Sequence, residues 1–206
     1  MRSQVLIVGL VACCTCGTAR ADFLPHTIDS LQTAPVVQLA YTFGGENLNR
    51  DSLAKKDSGG TTYLSGEGLA ADVGMLELFG DSGFGMKQEL GYWVEDPLIE
   101  HIFDSQVVSD STLYFDHPYA NALLLYHRGD AAVATGVTYH AYVRLTGTGQ
   151  ADNQVDTPFR NAFGWIIQYQ FKCVTLRFTE IRFTTRDGKT TISGSNVGLF
   201  LTYGWY

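Results

Sequence analysis

The sequence predicts an all-β chain, eight antiparallel strands in up-and-down order closed into a barrel with its apolar face outward. Three observations predict it. Apolar and polar residues alternate at period two over long stretches, the spacing of a strand with one greasy face. The connections alternate in length, long at 45–62, 96–113, 146–159 and 185–194 and short at 79–83, 129–130 and 172–173. The side opposite the apolar one carries Asp72, Lys87, Glu89, Arg144, Gln168, Gln170 and Arg177, which suits a polar lumen and not an apolar ligand cavity. The strands exceed the roughly 5 to 6 residues usual in soluble sheets and are long enough to cross a bilayer when tilted.

The elements follow in order. Val37, Leu39, Tyr41 and Phe43 alternate with Gln38, Ala40, Thr42 and Gly44, giving a first strand near 35–44; 45–62 is a long polar loop. The second strand, about 63–78, turns Leu69, Ala71, Val73 and Met75 outward and Ala70, Asp72 and Gly74 inward. The third, 84–95, turns Phe84, Met86, Leu90, Tyr92 and Val94 outward, and Lys87, Glu89 and Gly91 inward. In the fourth, about 114–128, the run Ala122-Leu123-Leu124-Leu125 has no alternation, so its facing is open. The fifth, 131–145, sets Val133, Val137, Tyr139, Ala141, Val143 and Leu145 against Ala134, Gly136, Thr138, His140, Tyr142 and Arg144. In the sixth, Phe163, Trp165, Ile167, Tyr169 and Phe171 oppose Gly164, Gln168, Gln170 and Lys172. The seventh sets Val174, Leu176 and Phe178 against Thr175, Arg177 and Thr179, and its phase slips near Glu180 and Ile181, which reads as a bulge.

The start of the chain points to export. Arg2 precedes an apolar run from Val5 to Ala12, and Ala19-Arg20-Ala21 forms a small-x-small cleavage site, so residues 1–21 read as a signal peptide. Residues 22–34 read as a periplasmic lead and 35–206 as the barrel. Three of the four cysteines lie in the signal, leaving Cys173 alone without an intrachain disulfide partner. Losing Arg2 and Arg20 leaves 12 basic against 21 acidic residues, a formal charge of −9, which excludes nucleic acid as a natural partner.

The last stretch, Ser195 to Tyr206, carries a resemblance. Val197, Leu199, Leu201, Tyr203 and Trp205 share one face, and two aromatics close the chain, as in the final strand of a bacterial outer-membrane barrel. Tyr206 departs from that pattern, being out of phase with Trp205, and Phe200 breaks the apolar face. With Gly136-Val137-Thr138-Tyr139-His140 and Ser195-Asn196-Val197-Gly198-Leu199-Phe200, the chain resembles the small, largely uncharacterised eight-stranded outer-membrane barrels of Gram-negative bacteria. The resemblance implies an outer-membrane location, contact with outer-membrane lipid and lipopolysaccharide, and recognition of the C-terminal strand by the barrel-assembly machinery. It brings no known loop ligand.

Tyr41, Phe43, Tyr92, Phe163, Trp165, Tyr203 and Trp205 are the expected interfacial aromatics. An eight-stranded lumen holds side chains and no channel, so inward charges must pair. Strand three lies across the ring from strand seven, so Glu89 and Arg177 are expected to meet, with Asp72 and Lys87 completing a cluster among Gln168 and Gln170. The function expected is a non-enzymatic envelope role, structural or through loop binding, with a plugged lumen. One alternative is a hydrolase acting on lipid A, for which only His140 and Glu180 offer a base and an acid, and the His-x-Ser pattern of such barrels is absent. A small diffusion pore is the other. His26, His101, Glu100 and Asp104 lack metal-ligand spacing, and no cofactor is called for. Arg128-Gly129-Asp130 spells an adhesive tripeptide but occupies a short turn.

Overall fold

The computed structural model describes residues 26–28, 31–45, 47–48, 63–95, 112–148 and 156–204. The signal segment 1–21, Trp205 and most of the first three long connections lie outside them. Eight strands form the wall: β1 Leu31–Gly44, β2 Gly68–Phe79, β3 Phe84–Glu95, β4 Thr112–Arg128, β5 Ala131–His140, β6 Ala162–Phe171, β7 Val174–Thr184 and β8 Asn196–Gly204. Each pairs antiparallel with its sequence neighbours, and β8 pairs with β1, so no edge is left in the wall. Followed once around, the register runs from Ala34 through Leu76, Lys87, Leu123, Gly136, Ile166, Thr179 and Asn196, and returns to β1 at Gly44, ten residues on. That stagger tilts the strands and fixes a lumen narrow enough for side chains to fill.

The polarity is inside-out relative to a soluble barrel. Val73, Leu90, Leu124, Trp165, Ile167, Leu176 and Leu199 face outward and are exposed, while Lys87, Glu89, Gln38 and Arg177 lie buried inside. The lumen has three layers. Toward the short turns it is aliphatic, built of Val36, Leu76, Leu78, Leu123, Leu125, Ala134 and Ile166. The middle is polar and charged. Toward the long connections it is aromatic, with Trp93, Phe115, Phe159 and Phe183 in edge-to-face and tilted contacts around His117 and His140.

The short turns fall where expected, at Gly80–Ser82, Gly129–Asp130 and Lys172–Cys173. Four details differ. The first strand begins at Leu31, inside the expected lead, because Leu31–Ala34 ladder with Leu76–Phe79 and His26–Ile28 folds back onto Leu31–Thr33. The second begins at Gly68; Tyr63–Leu64 pair instead with Asn47–Leu48 in a separate ribbon. The fifth strand breaks after His140, where Tyr142 takes a left-handed φ of 53° and a second segment, Arg144–Thr148, resumes the pairing. Between the pairs Tyr119↔His140 and Asp116↔Arg144, three steps on β4 oppose four on the other strand, a bulge that reverses the facing. Val143 and Leu145 therefore point inward and Arg144 outward, the opposite of the expected arrangement.

The bulge expected near Glu180 and Ile181 is absent. The β6–β7 register is continuous through Gly164↔Ile181 and Trp165↔Glu180, and burial alternates without a break from Thr175 to Phe183. What changes there is which face is apolar. Glu180 and Arg182 face outward and Ile181 and Phe183 inward, the polarity of a wall standing in water.

Candidate functional site in the lumen

β2, β3 and β7 bring the charged side chains together because each presents its inward residues at the same height. Asp72 pairs in register with Gly91 and so sits beside Glu89, and Arg177 reaches them from across the barrel. Its Nη2 lies 2.7 Å from Glu89 Oε2 and its Nη1 3.0 Å from Asp72 Oδ2. Lys87 Nζ lies 2.7 Å from the other Glu89 oxygen, Oε1. Two cations meet two carboxylates, so the cluster is neutral as a whole, the condition for holding such charges out of water.

Hydrogen bonds complete it. Arg177 donates to Gln38 Oε1 at 2.7 Å and to Gln168 Oε1 at 3.3 Å, and Asn121 Nδ2 donates to Glu89 Oε2 at 2.9 Å. The Tyr119 hydroxyl donates to Asp72 Oδ1. Gln38 Nε2 in turn donates to Thr202 at 2.6 Å, which shares a bond of 2.8 Å with Thr175. The guanidinium carbon of Arg177 lies 4.1 Å from the centre of the Phe200 ring, a cation–π contact that gives the inward Phe200 its place in an otherwise alternating strand.

Of the residues expected in the cluster, Asp72, Lys87, Glu89, Arg177 and Gln168 are joined by these contacts. Gln170 lies nearer the short-turn end and donates to the Lys172 carbonyl at 2.8 Å. Gln38, Tyr119 and Asn121 were not expected in it. The polar face of β1 carried the signal for Gln38; Tyr119 and Asn121 sit on β4, where sequence left the facing open.

His140 and Glu180 lie on opposite faces of the wall. The His140 ring stacks on Tyr119 at 5.2 Å and lies 4.7 Å from His117, while Glu180 points outward beside Trp165. Among the described residues no group of three or more His, Cys, Asp and Glu side chains converges.

The expected aromatics Phe43, Tyr92, Phe163, Trp165 and Tyr203 are exposed and outward-facing, and Tyr41 is half-buried. Toward the long connections, tyrosines on three strands meet polar groups at the rim. Tyr41 donates to Glu67 at 2.8 Å, Tyr92 to Asp116 at 2.5 Å, and Tyr139 accepts from Asn161 at 2.5 Å. A ring body against the apolar band and a hydroxyl at a polar rim is the disposition of an interfacial tyrosine.

A closed ladder of eight strands, apolar outside and polar within, decides the fold. It is an eight-stranded antiparallel up-and-down β-barrel. No family model and no curated protein matches the chain. Among solved structures it is similar to the attachment invasion locus protein Ail of Yersinia pestis, with 8% identity over 85% of this chain and 100% of that one at a TM-score of 0.42. It is similar to Neisserial surface protein A, with 8% identity over 83% and 97% of the two chains and a TM-score of 0.43. The N-terminal barrel domain of Pseudomonas aeruginosa OprF shares 11% identity over 82% and 97%, at a TM-score of 0.31.

Proposed function

We propose that this protein is an exported, non-enzymatic outer-membrane barrel that acts in the envelope as a structural element or by presenting its long connections to a partner. The observation that carries the reading is the pairing of an exposed apolar band around the wall with a lumen closed by a neutral, hydrogen-bonded charge cluster. The band needs lipid around it, because in water it would be a contiguous exposed apolar surface far larger than soluble monomers carry. The charged side chains of the cluster are at most 3% exposed, which weighs against the diffusion pore. With Glu180 outside the lumen and His140 packed among aromatic rings, the two residues that the lipid hydrolase would pair as acid and base stand apart. The C-terminal strand is the segment for the assembly machinery to read, and lipopolysaccharide is the neighbour the outer rim would meet.

The test is fractionation with folding state and conductance read on the same preparation. The protein is expected in the outer-membrane fraction, cleaved near Ala21, as a faster-running band on unheated detergent gels, and silent in planar bilayers. Recovery as a soluble periplasmic species would end the reading, and a stable large conductance would move the pore to first place.

A further inference from the structure

Away from its two rims, the outward face of the wall is apolar except at Gln88 and Thr135. The Thr135 hydroxyl donates to the Ile166 carbonyl at 3.0 Å, so the wall itself satisfies it. Gln88 is exposed, and its amide makes no hydrogen bond among the described residues. It also stands at mid-height. β3 turns Phe84, Met86, Gln88, Leu90 and Tyr92 outward, with Phe84 at the short turn and the Tyr92 hydroxyl on Asp116 at the opposite rim. Gln88 lies four residues from each of them, about 13 Å of strand, which its side chain does not span. With lipid around the band, both the donor and the acceptor of this amide lack a partner, at a cost in free energy.

Its neighbours leave room for one. In the register Gln88 lies between Met75 on β2 and Ala122 on β4, with Ala71 and Ala120 on the adjoining outward rows. Across the ring, β6 and β7 turn Trp165, Ile167, Leu176 and Phe178 outward, which would hold a second backbone off. Lipid chains offer the amide nothing. A second copy of the chain offers both of the groups it needs. Barrels inserted in one membrane share an orientation, so a two-fold axis along the membrane normal brings Gln88 to its own twin at the same depth. A carboxamide is self-complementary, since the N–H of each donates to the carbonyl of the other. An unrelated protein would have to place a polar group at that depth independently.

We infer, on the membrane reading above, that the β2–β4 face centred on Gln88 is the contact between two copies of this barrel. To test it, two preparations of the chain from residue 22, one carrying a donor and one an acceptor dye at the amino terminus, are refolded together in phosphatidylcholine vesicles. Energy transfer is followed as lipid is added. Wild type dissociates with a midpoint, and Q88L dissociates at a roughly tenfold higher protein-to-lipid ratio. The sign is diagnostic, because Q88L makes the face more apolar and general stickiness would not weaken. L176A, on β7 across the ring, dissociates as wild type does. Association of Q88L as strong as that of wild type or stronger overturns the assignment. So does an equal weakening in L176A, or wild-type transfer no greater than that of randomly placed monomers at every dilution. The unheated gel band of each sample separates the two readings: absence of a folded wild-type band defeats the barrel itself, whereas a folded barrel without transfer defeats only this contact.

Discussion

Arg177 is the group on which the lumen cluster turns, and Arg177→Met tests that while keeping most of the aliphatic volume. The substitution removes contacts of 2.7 Å to Glu89 and 3.0 Å to Asp72, together with the bonds to Gln38 and Gln168. Glu89 keeps Lys87 at 2.7 Å, but Asp72 loses the one cation paired with it among the described residues and retains the Tyr119 hydroxyl. A neutral cluster becomes one with a net negative charge in a layer shut off from water, for which a loss of about 3–5 kcal/mol is expected. The assay is urea unfolding of the protein in lipid vesicles, with the folded fraction read on unheated gels. Restoring neutrality should recover part of the loss, so Arg177→Met with Asp72→Asn should be less destabilised than the sum of the single variants, by about 0.5–3 kcal/mol. Arg177→Met within about 1 kcal/mol of wild type, or a double variant no better than additive, would refute the reasoning.

Two further outcomes follow from local geometry. A Cβ at Gly91 would lie 2.3 Å from Asp72 Oδ1 and 2.4 Å from Tyr119 Cζ, so Gly91→Ala must separate that pair or shift β3. It should cost about 1–3 kcal/mol in the same urea titration, and an unchanged midpoint would show that the layer is loosely packed. In the hairpin above β7, the Thr185 hydroxyl at 2.6 Å and the Lys189 N–H at 3.1 Å hold the Asp187 carboxyl below its ordinary range. Because the folded value is depressed, the stabilisation is present above the unfolded value and lost as pH falls through the folded one. The Lys189 amide signal in NMR should therefore shift only in acid below the usual aspartate range, and Asp187→Asn should abolish the shift; a midpoint at or above the ordinary aspartate value counts against it.

Sequence reached the wall because alternation is a local property. In β2, β3 and β6 the residues that face outward and those that face the middle of the lumen differ in polarity, so period two marks the face directly. The same alternation placed Asp72, Glu89 and Arg177 inside, and the alternating connection lengths set β3 across from β7. The run Ala122–Leu125 stayed open because the lumen near the short turns is itself aliphatic. Leu123 and Leu125 face Leu76, Leu78 and Ile166 from inside while Leu124 faces out, so both sides of β4 are apolar there. Tyr119 and Asn121 were hidden with it.

The phase break that the sequence shows at Glu180 and Ile181 and the one at Tyr142, which alternation did not show, have different origins, and only the tertiary structure separates them. At Glu180 and Ile181 the backbone continues unbroken while the polar residues pass to the outer face and the apolar ones to the inner, without any insertion. At Tyr142 one extra residue enters the strand and reverses the facing of Val143, Arg144 and Leu145. The sequence by itself determined the number of strands, their order and the inward facing of Asp72, Lys87, Glu89 and Arg177, though not that of Arg144, because these follow from periodicity and spacing along the chain. The tertiary structure alone decided which apolar face of β4 is inside, where the bulge lies and which polar groups complete the Arg177 cluster. Those depend on the register between strands and on the medium each face meets, and neither is a property of one strand.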